Sequence, residues 1–72
     1  MSRPVKRSLT LRGHRTSVSL EEPFWAEFRR LAAQDGLSVN ELAATLDEGR
    51  GEAAGLASAI RVWVLERALA SR

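Results

Sequence analysis

The sequence predicts a mainly α-helical domain with a short β ribbon near its N-terminus, in the order strand, helix, helix and a third helix, assembled as a homodimer. Three observations lead there. From Arg15 to Leu20 the chain alternates with the period of two of an extended strand, Thr16, Val18 and Leu20 on one side and Arg15, Ser17 and Ser19 on the other. Beyond Pro23, apolar residues recur at helical spacing in three successive segments. The chain is also only 72 residues long, with no cysteine and a single histidine, His14. A chain of that size buries a modest core, and neither disulfides nor a thiolate or histidine metal site is available to supplement it. Association with a second copy is the remaining source of buried surface.

Residues 1–7, "MSRPVKR", are expected to form a flexible basic arm ahead of a single domain over residues 8–72, because Pro4 and the charges oppose packing. From Ser8 to Leu20 the pattern is β. Leu9 and Leu11 alternate with Ser8, Thr10 and Arg12, and Gly13-His14 interrupts before the clearer second strand. A hairpin joined at Gly13-His14 fits, since glycine supplies the positive φ that tight turns need. Two strands alone are marginal, so they need further partners.

Glu21-Glu22-Pro23 opens a helix: proline suits the first turn, and acids there complement the helix dipole. Phe24, Phe28, Leu31 and Ala32 follow at helical spacing with Trp25 beside them, and Gly36 is the natural left-handed residue to end that helix. Ser38 with Glu41 three residues on has the spacing of a capping box, and Val39, Leu42, Ala43 and Leu46 form the stripe of a second helix. The glycines of the run from Asp47 to Gly51 should break it and open a connector to Gly55. A third helix is expected from about Leu56 to Ala70. Leu56, Ile60, Trp63 and Val64 share one face, and Val62, Leu65 and Leu69 widen it. So broad an apolar surface suggests contact on two sides, with its own subunit and with another. Trp25 and Trp63, spaced with other apolar residues, read as core or dimer aromatics.

The residues that chemistry requires are missing. There is no G-x-S-x-G, no phosphate loop with G-K-[ST], no dinucleotide fingerprint and no H-x-x-x-H pair. "GRGEAAG", Gly49 to Gly55, has neither a preceding strand nor a following lysine and reads as a linker. No enzyme, cofactor or metal is expected. The longest apolar run, Val62 to Leu65, is far short of a membrane span, and no apolar run follows the basic N-terminus as a signal peptide would require. A cytoplasmic location is expected, consistent with the lack of cysteine.

Charge is unevenly placed. Residues 1–20 hold Arg3, Lys6, Arg7, Arg12 and Arg15 and no acid, whereas residues 21–48 hold seven acids against Arg29 and Arg30. A basic N-terminal segment points to a polyanion met by one surface. A two-stranded antiparallel ribbon fits the major groove of B-DNA and reads base edges there. A symmetric dimer would build it by pairing Arg15–Leu20 with its copy. Free N–H groups at the start of the second helix would bind a backbone phosphate.

The strand with alternate polar residues, the helix ending in glycine and the segment Gly36-x-Ser38-Val39-Asn40-Glu41-Leu42 together resemble the ribbon-helix-helix proteins of the Arc/MetJ type, over roughly residues 6–70. The run from "KRSLTLRGHRTSVSLEEPFW" to "SAIRVWVLERA" resembles a small bacterial subgroup with an extra β segment, Leu9 to Leu11, before the ribbon. The resemblance implies an intertwined homodimer that binds double-stranded DNA and regulates transcription. It places base contacts at Arg15, Ser17 and Ser19 and a phosphate clamp at Ser38, Val39 and Asn40. Lys6, Arg7 and Arg12, with Arg3, would add phosphate affinity, and Val18, Leu20, Phe24, Trp25, Leu42, Ile60 and Trp63 would form the dimer core. The alternative is a protein-interaction module, antitoxin-like or an adaptor, docking a partner through the third helix. Serines at two reading positions, the glycine connector and the extra β segment depart from the family pattern. If that segment covers the ribbon's polar face, readout by Ser17 and Ser19 is lost.

Overall fold

The computed structural model describes residues 3–50 and 55–71. Two strands, β1 (Val5–Leu11) and β2 (His14–Leu20), precede three helices, α1 (Glu22–Gln34), α2 (Val39–Gly49) and α3 (Leu56–Ala70). Most of the connector expected between the last two helices, residues 51–54, lies outside the described residues.

The strands form an antiparallel hairpin whose register runs from Val5 opposite Leu20 to Leu11 opposite His14. Its two-residue turn is Arg12-Gly13, one residue earlier than Gly13-His14. Arg12 and Gly13 have φ of 49° and 84°, the pair of positive values that a type I′ turn needs to match the right-handed twist of the strands. Gly13 adopts this freely, but an arginine does so at a cost. Replacing Arg12 with asparagine, which tolerates this conformation, is expected to raise the melting temperature by about 4–8 °C, the size of a ~1 kcal/mol relief in so small a domain. The Arg12–Glu48 ion pair lost in the exchange is exposed and offsets little of it. Thermal unfolding followed by circular dichroism checks this.

Strand β1 also begins earlier than the arm expected over residues 1–7 allows, because Val5, Lys6 and Arg7 pair with Leu20, Ser19 and Val18. Arg7 accounts for the difference. Its guanidinium lies 5.3 Å from the centre of the Trp25 ring and donates from Nη2 to Glu22 at 2.5 Å. A residue that reads as a solvated charge in sequence therefore packs by its stem and ring-facing plane.

Helix α1 ends in a full Schellman motif: Gly36 N–H donates to Ala33 and Leu37 N–H to Ala32. Gly36 has φ 73° and open space where a Cβ would stand, so backbone conformation, not room, reserves the site for glycine. Helix α2 starts with the expected capping box. Ser38 Oγ accepts from Glu41 N–H and Glu41 Oε1 accepts from Ser38 N–H, both at 3.0 Å. It ends at Gly49, inside the Asp47–Gly51 run expected to break it.

The helices cover one face of the hairpin. Leu9, Val18 and Leu20 from the sheet join Phe28, Ala32, Leu42, Ala43, Ile60 and Val64 in a single buried cluster, with Phe24, Trp25 and Trp63 packed at its margin. Phe28 sits between the two tryptophans, its ring centre 6.3 Å from Trp25 and 5.9 Å, edge-on, from Trp63. Of the seven residues assigned to a dimer core, Val18, Leu20, Leu42 and Ile60 are buried within the chain, and Phe24, Trp25 and Trp63 are half-buried at the margin of that cluster.

Three arginines fasten the margin of this core, each spanning an aromatic ring and a carboxylate on another element. Arg7 does so with Trp25 and Glu22, Arg61 with Phe24 and Glu21 (3.0 Å), and Arg67 with Trp63 and Asp35 (2.8 Å). Hydrogen bonds from Arg61 and Arg67 hold the carboxyls of Glu21 and Asp35 below their ordinary values, and Ser38 does the same for Glu41. A carboxyl whose pKa is lowered on folding stabilises the fold above its unfolded pKa and loses that contribution as pH falls through the folded one. Urea midpoints are therefore expected to hold level from pH 7 to about 5 and to drop below about pH 4. Midpoints that stay level to pH 2.5 would show that these ties carry no stability.

Candidate nucleic-acid interface

The face of the hairpin turned away from the helices is bare. Strand alternation puts Lys6, Ser8 and Thr10 of β1 and Arg15, Ser17 and Ser19 of β2 on it, in the cross-strand pairs Lys6–Ser19, Ser8–Ser17 and Thr10–Arg15, and all six are exposed. The extra β segment extends the sheet edge to edge and leaves the face uncovered. The surface is rich in hydroxyls, with one cation toward each end and no acid. No ion pair holds Lys6 or Arg15 among the described residues, so their charges remain available to a partner.

The three positions assigned to base contacts, Arg15, Ser17 and Ser19, lie together on this face. Lys6, assigned to phosphate, joins them. Ser8 and Thr10 were not assigned, although their alternation with Leu9 and Leu11 carried the signal. The other assigned arginines lie elsewhere. Arg7 belongs to the opposite face, its side chain 18% exposed and engaged by Glu22 and Trp25, so its assignment to phosphate is corrected: a cation on the helix-covered side of the sheet cannot meet a partner docked on the other. Arg12 is exposed in the turn, where the neighbouring Glu48 raises its pKa through a hydrogen bond and charge attraction.

The start of α2 stands at the flank of the sheet. Thr10 N–H, on the outer edge of β1, donates to Asn40 Oδ1 at 3.0 Å. Of the proposed clamp, Ser38 and Asn40 are exposed and Val39 is half-buried against the core. The capping box already uses the Ser38 and Glu41 N–H groups, which leaves those of Val39 and Asn40. The Glu41 carboxylate, its pKa lowered chiefly by the Ser38 backbone N–H, adds a negative charge beside them, so an anion there meets both the helix dipole and a competing charge.

Among the described residues no group of three or more His, Cys, Asp or Glu side chains is placed to hold a metal ion, and no helix is long and apolar enough to cross a membrane. A family model described as a ribbon-helix-helix domain matches residues 4–68. No curated protein and no solved structure matches the chain.

Proposed function

The chain belongs to the ribbon-helix-helix domain family, and from that premise we propose that it is a homodimeric, sequence-specific DNA-binding protein, a transcriptional regulator that sets the polar face of its β ribbon into the major groove. The family consists generally of DNA-binding transcription regulators and antitoxins. The observation that carries the proposal is the bare, acid-free face of Lys6, Ser8, Thr10, Arg15, Ser17 and Ser19. Arg15 offers a guanidinium matched to the O6 and N7 acceptors of guanine, and the serines donate to or accept from either kind of base edge. Lys6 and Arg3 add phosphate affinity. Ser38, Val39 and Asn40 clamp a phosphate at the sheet's flank and fix register.

Titration of duplex DNA at several salt concentrations tests the proposal. Wild-type affinity is expected to fall steeply with salt, and Arg15→Ala to weaken binding by about 1–3 kcal/mol. Equal, salt-insensitive weak binding by both proteins would end it.

One observation favours a second reading, a module that docks a protein. Val62, Leu65 and Leu69 are 53%, 55% and 49% exposed on the side of α3 away from its own core. A helix apolar on both sides is characteristic of one buried on both sides. Recovery of a protein bound to α3, with no DNA footprint, would decide for this reading.

A further inference from the structure

We propose that β1 is a backbone-gripping strand: Lys6, Ser8 and Thr10 lie against the phosphates that wall the major groove, while base reading stays with Arg15, Ser17 and Ser19 of β2. This rests on the DNA-binding reading above, with the ribbon formed by β2 and its copy, and gives a role to the β segment that precedes that ribbon.

Position comes first. β1 pairs with one edge of β2 along the whole strand, from Val5 opposite Leu20 to Leu11 opposite His14, so a copy of β2 joins at the other edge. Neighbouring strands lie about 4.8 Å apart. In a β2–β2 ribbon each β2 backbone then stands about 2.4 Å from the two-fold axis, and each β1 backbone about 7 Å from it on either side. The major groove is about 12 Å wide, which puts its walls about 6 Å from its midline. β2 falls inside the groove and β1 over its wall. Lys6, Ser8 and Thr10 share the exposed face of Arg15, Ser17 and Ser19, so they are turned toward DNA at the lateral position of the phosphates.

The side chains of the two strands differ in the same sense. A phosphate is negatively charged and accepts hydrogen bonds, so cations and O–H or N–H donors meet it. Lys6 is a point charge with three donors, and Ser8 and Thr10 each carry a hydroxyl. None of the three has the planar fork of Arg15, which matches O6 and N7 of guanine.

The outer edge of β1 is also tied to the residues proposed to clamp a phosphate. Thr10 N–H donates to Asn40 Oδ1 at 3.0 Å, in the first turn of α2 beside Ser38 and Val39. β1 and the start of α2 are therefore neighbours at the flank of the sheet, and a DNA strand that runs along this flank meets both.

The test uses the full chain and two duplexes of equal length, one selected from a random pool by the wild-type protein and one of random sequence, each titrated at several salt concentrations. Lys6→Ala is expected to weaken binding to both duplexes by the same factor, about five- to tenfold at 0.1 M salt, and to lower the salt slope by about 1. Thr10→Val keeps a branched strand residue and the backbone N–H but removes the hydroxyl. It is expected to weaken binding to both duplexes about two- to fivefold without changing the slope. Arg15→Ala is expected instead to reduce the preference for the selected duplex. Lys6 and Thr10 are exposed, so both β1 variants should melt near wild type. Replacing single phosphates of the selected duplex with neutral methylphosphonates locates the contact. At a symmetric pair of positions the replacement is expected to weaken the wild type and to leave Lys6→Ala unaffected, and the lack of any such position would count against the proposal. If both β1 variants bind as the wild type does while Arg15→Ala loses the preference, the role given to β1 is wrong and the DNA-binding reading stands. A β1 variant that loses the preference as Arg15→Ala does would make β1 a base reader and overturn the proposal. If the wild type shows no salt-dependent binding to either duplex, both readings fall.

Discussion

Phe28→Ala is expected to leave much of the protein unfolded at 25 °C. Phe28 has no exposed surface, and its ring meets both tryptophans, Trp25 on its own helix and Trp63 on α3, so it ties α1 to α3. Truncating a buried phenylalanine costs about 3–5 kcal/mol, through the lost transfer of its ring from water and the cavity left behind. A core in a chain this short supplies about the same amount in total, roughly 3–5 kcal/mol. No disulfide is present to hold the unfolded chain together. Urea unfolding followed by tryptophan fluorescence suits the test, because Trp25 and Trp63 both report on the site. Phe28→Leu, which keeps most of the volume, is expected to cost under about 2 kcal/mol and to melt as a folded protein. An alanine variant that melts within a few degrees of wild type would mean that the core is not organised around this ring.

Much of the fold is legible in the residues, and the places where it is not have physical causes. Helix starts and stops are written locally. Ser38 with Glu41 and Gly36 after Gln34 satisfy backbone groups within a few residues of themselves, so their spacing alone identifies them. The alternation of β2 is equally local, and it placed Arg15, Ser17 and Ser19 on one face. What the sequence hid depends on distant partners. Arg7 reads as a charge for solvent, but Trp25 and Glu22 from α1 draw it inward. β1 pairs with one edge of β2, which periodicity alone does not reveal, since alternation fixes which face Val18 and Leu20 occupy and not which strand lies beside them. The turn was displaced by one residue because arginine is an uncommon occupant of a positive-φ position, and nothing at Arg12 announces it.

Helix α3 separates the two roles that its sequence superimposes. Ile60→Ala is expected to destabilise by about 2–5 kcal/mol, because Ile60 is fully buried against the sheet and the other helices and its truncation leaves a cavity no neighbour can fill. Leu65→Ser, five residues on, is expected to change stability by less than about 0.5 kcal/mol, since Leu65 is 55% exposed and surface changes away from specific contacts are close to neutral. The two differ in kind as well as in size. Ile60→Ala should lower the urea midpoint at every protein concentration. Leu65→Ser should leave the midpoint of dilute protein unchanged and act on association, lowering the sedimentation coefficient at micromolar concentration if the Val62, Leu65 and Leu69 stripe is where two chains meet. Should Leu65→Ser destabilise dilute monomer as much as Ile60→Ala does, the outward face of α3 would belong to the chain's own core, and the stripe would no longer be a surface for any partner.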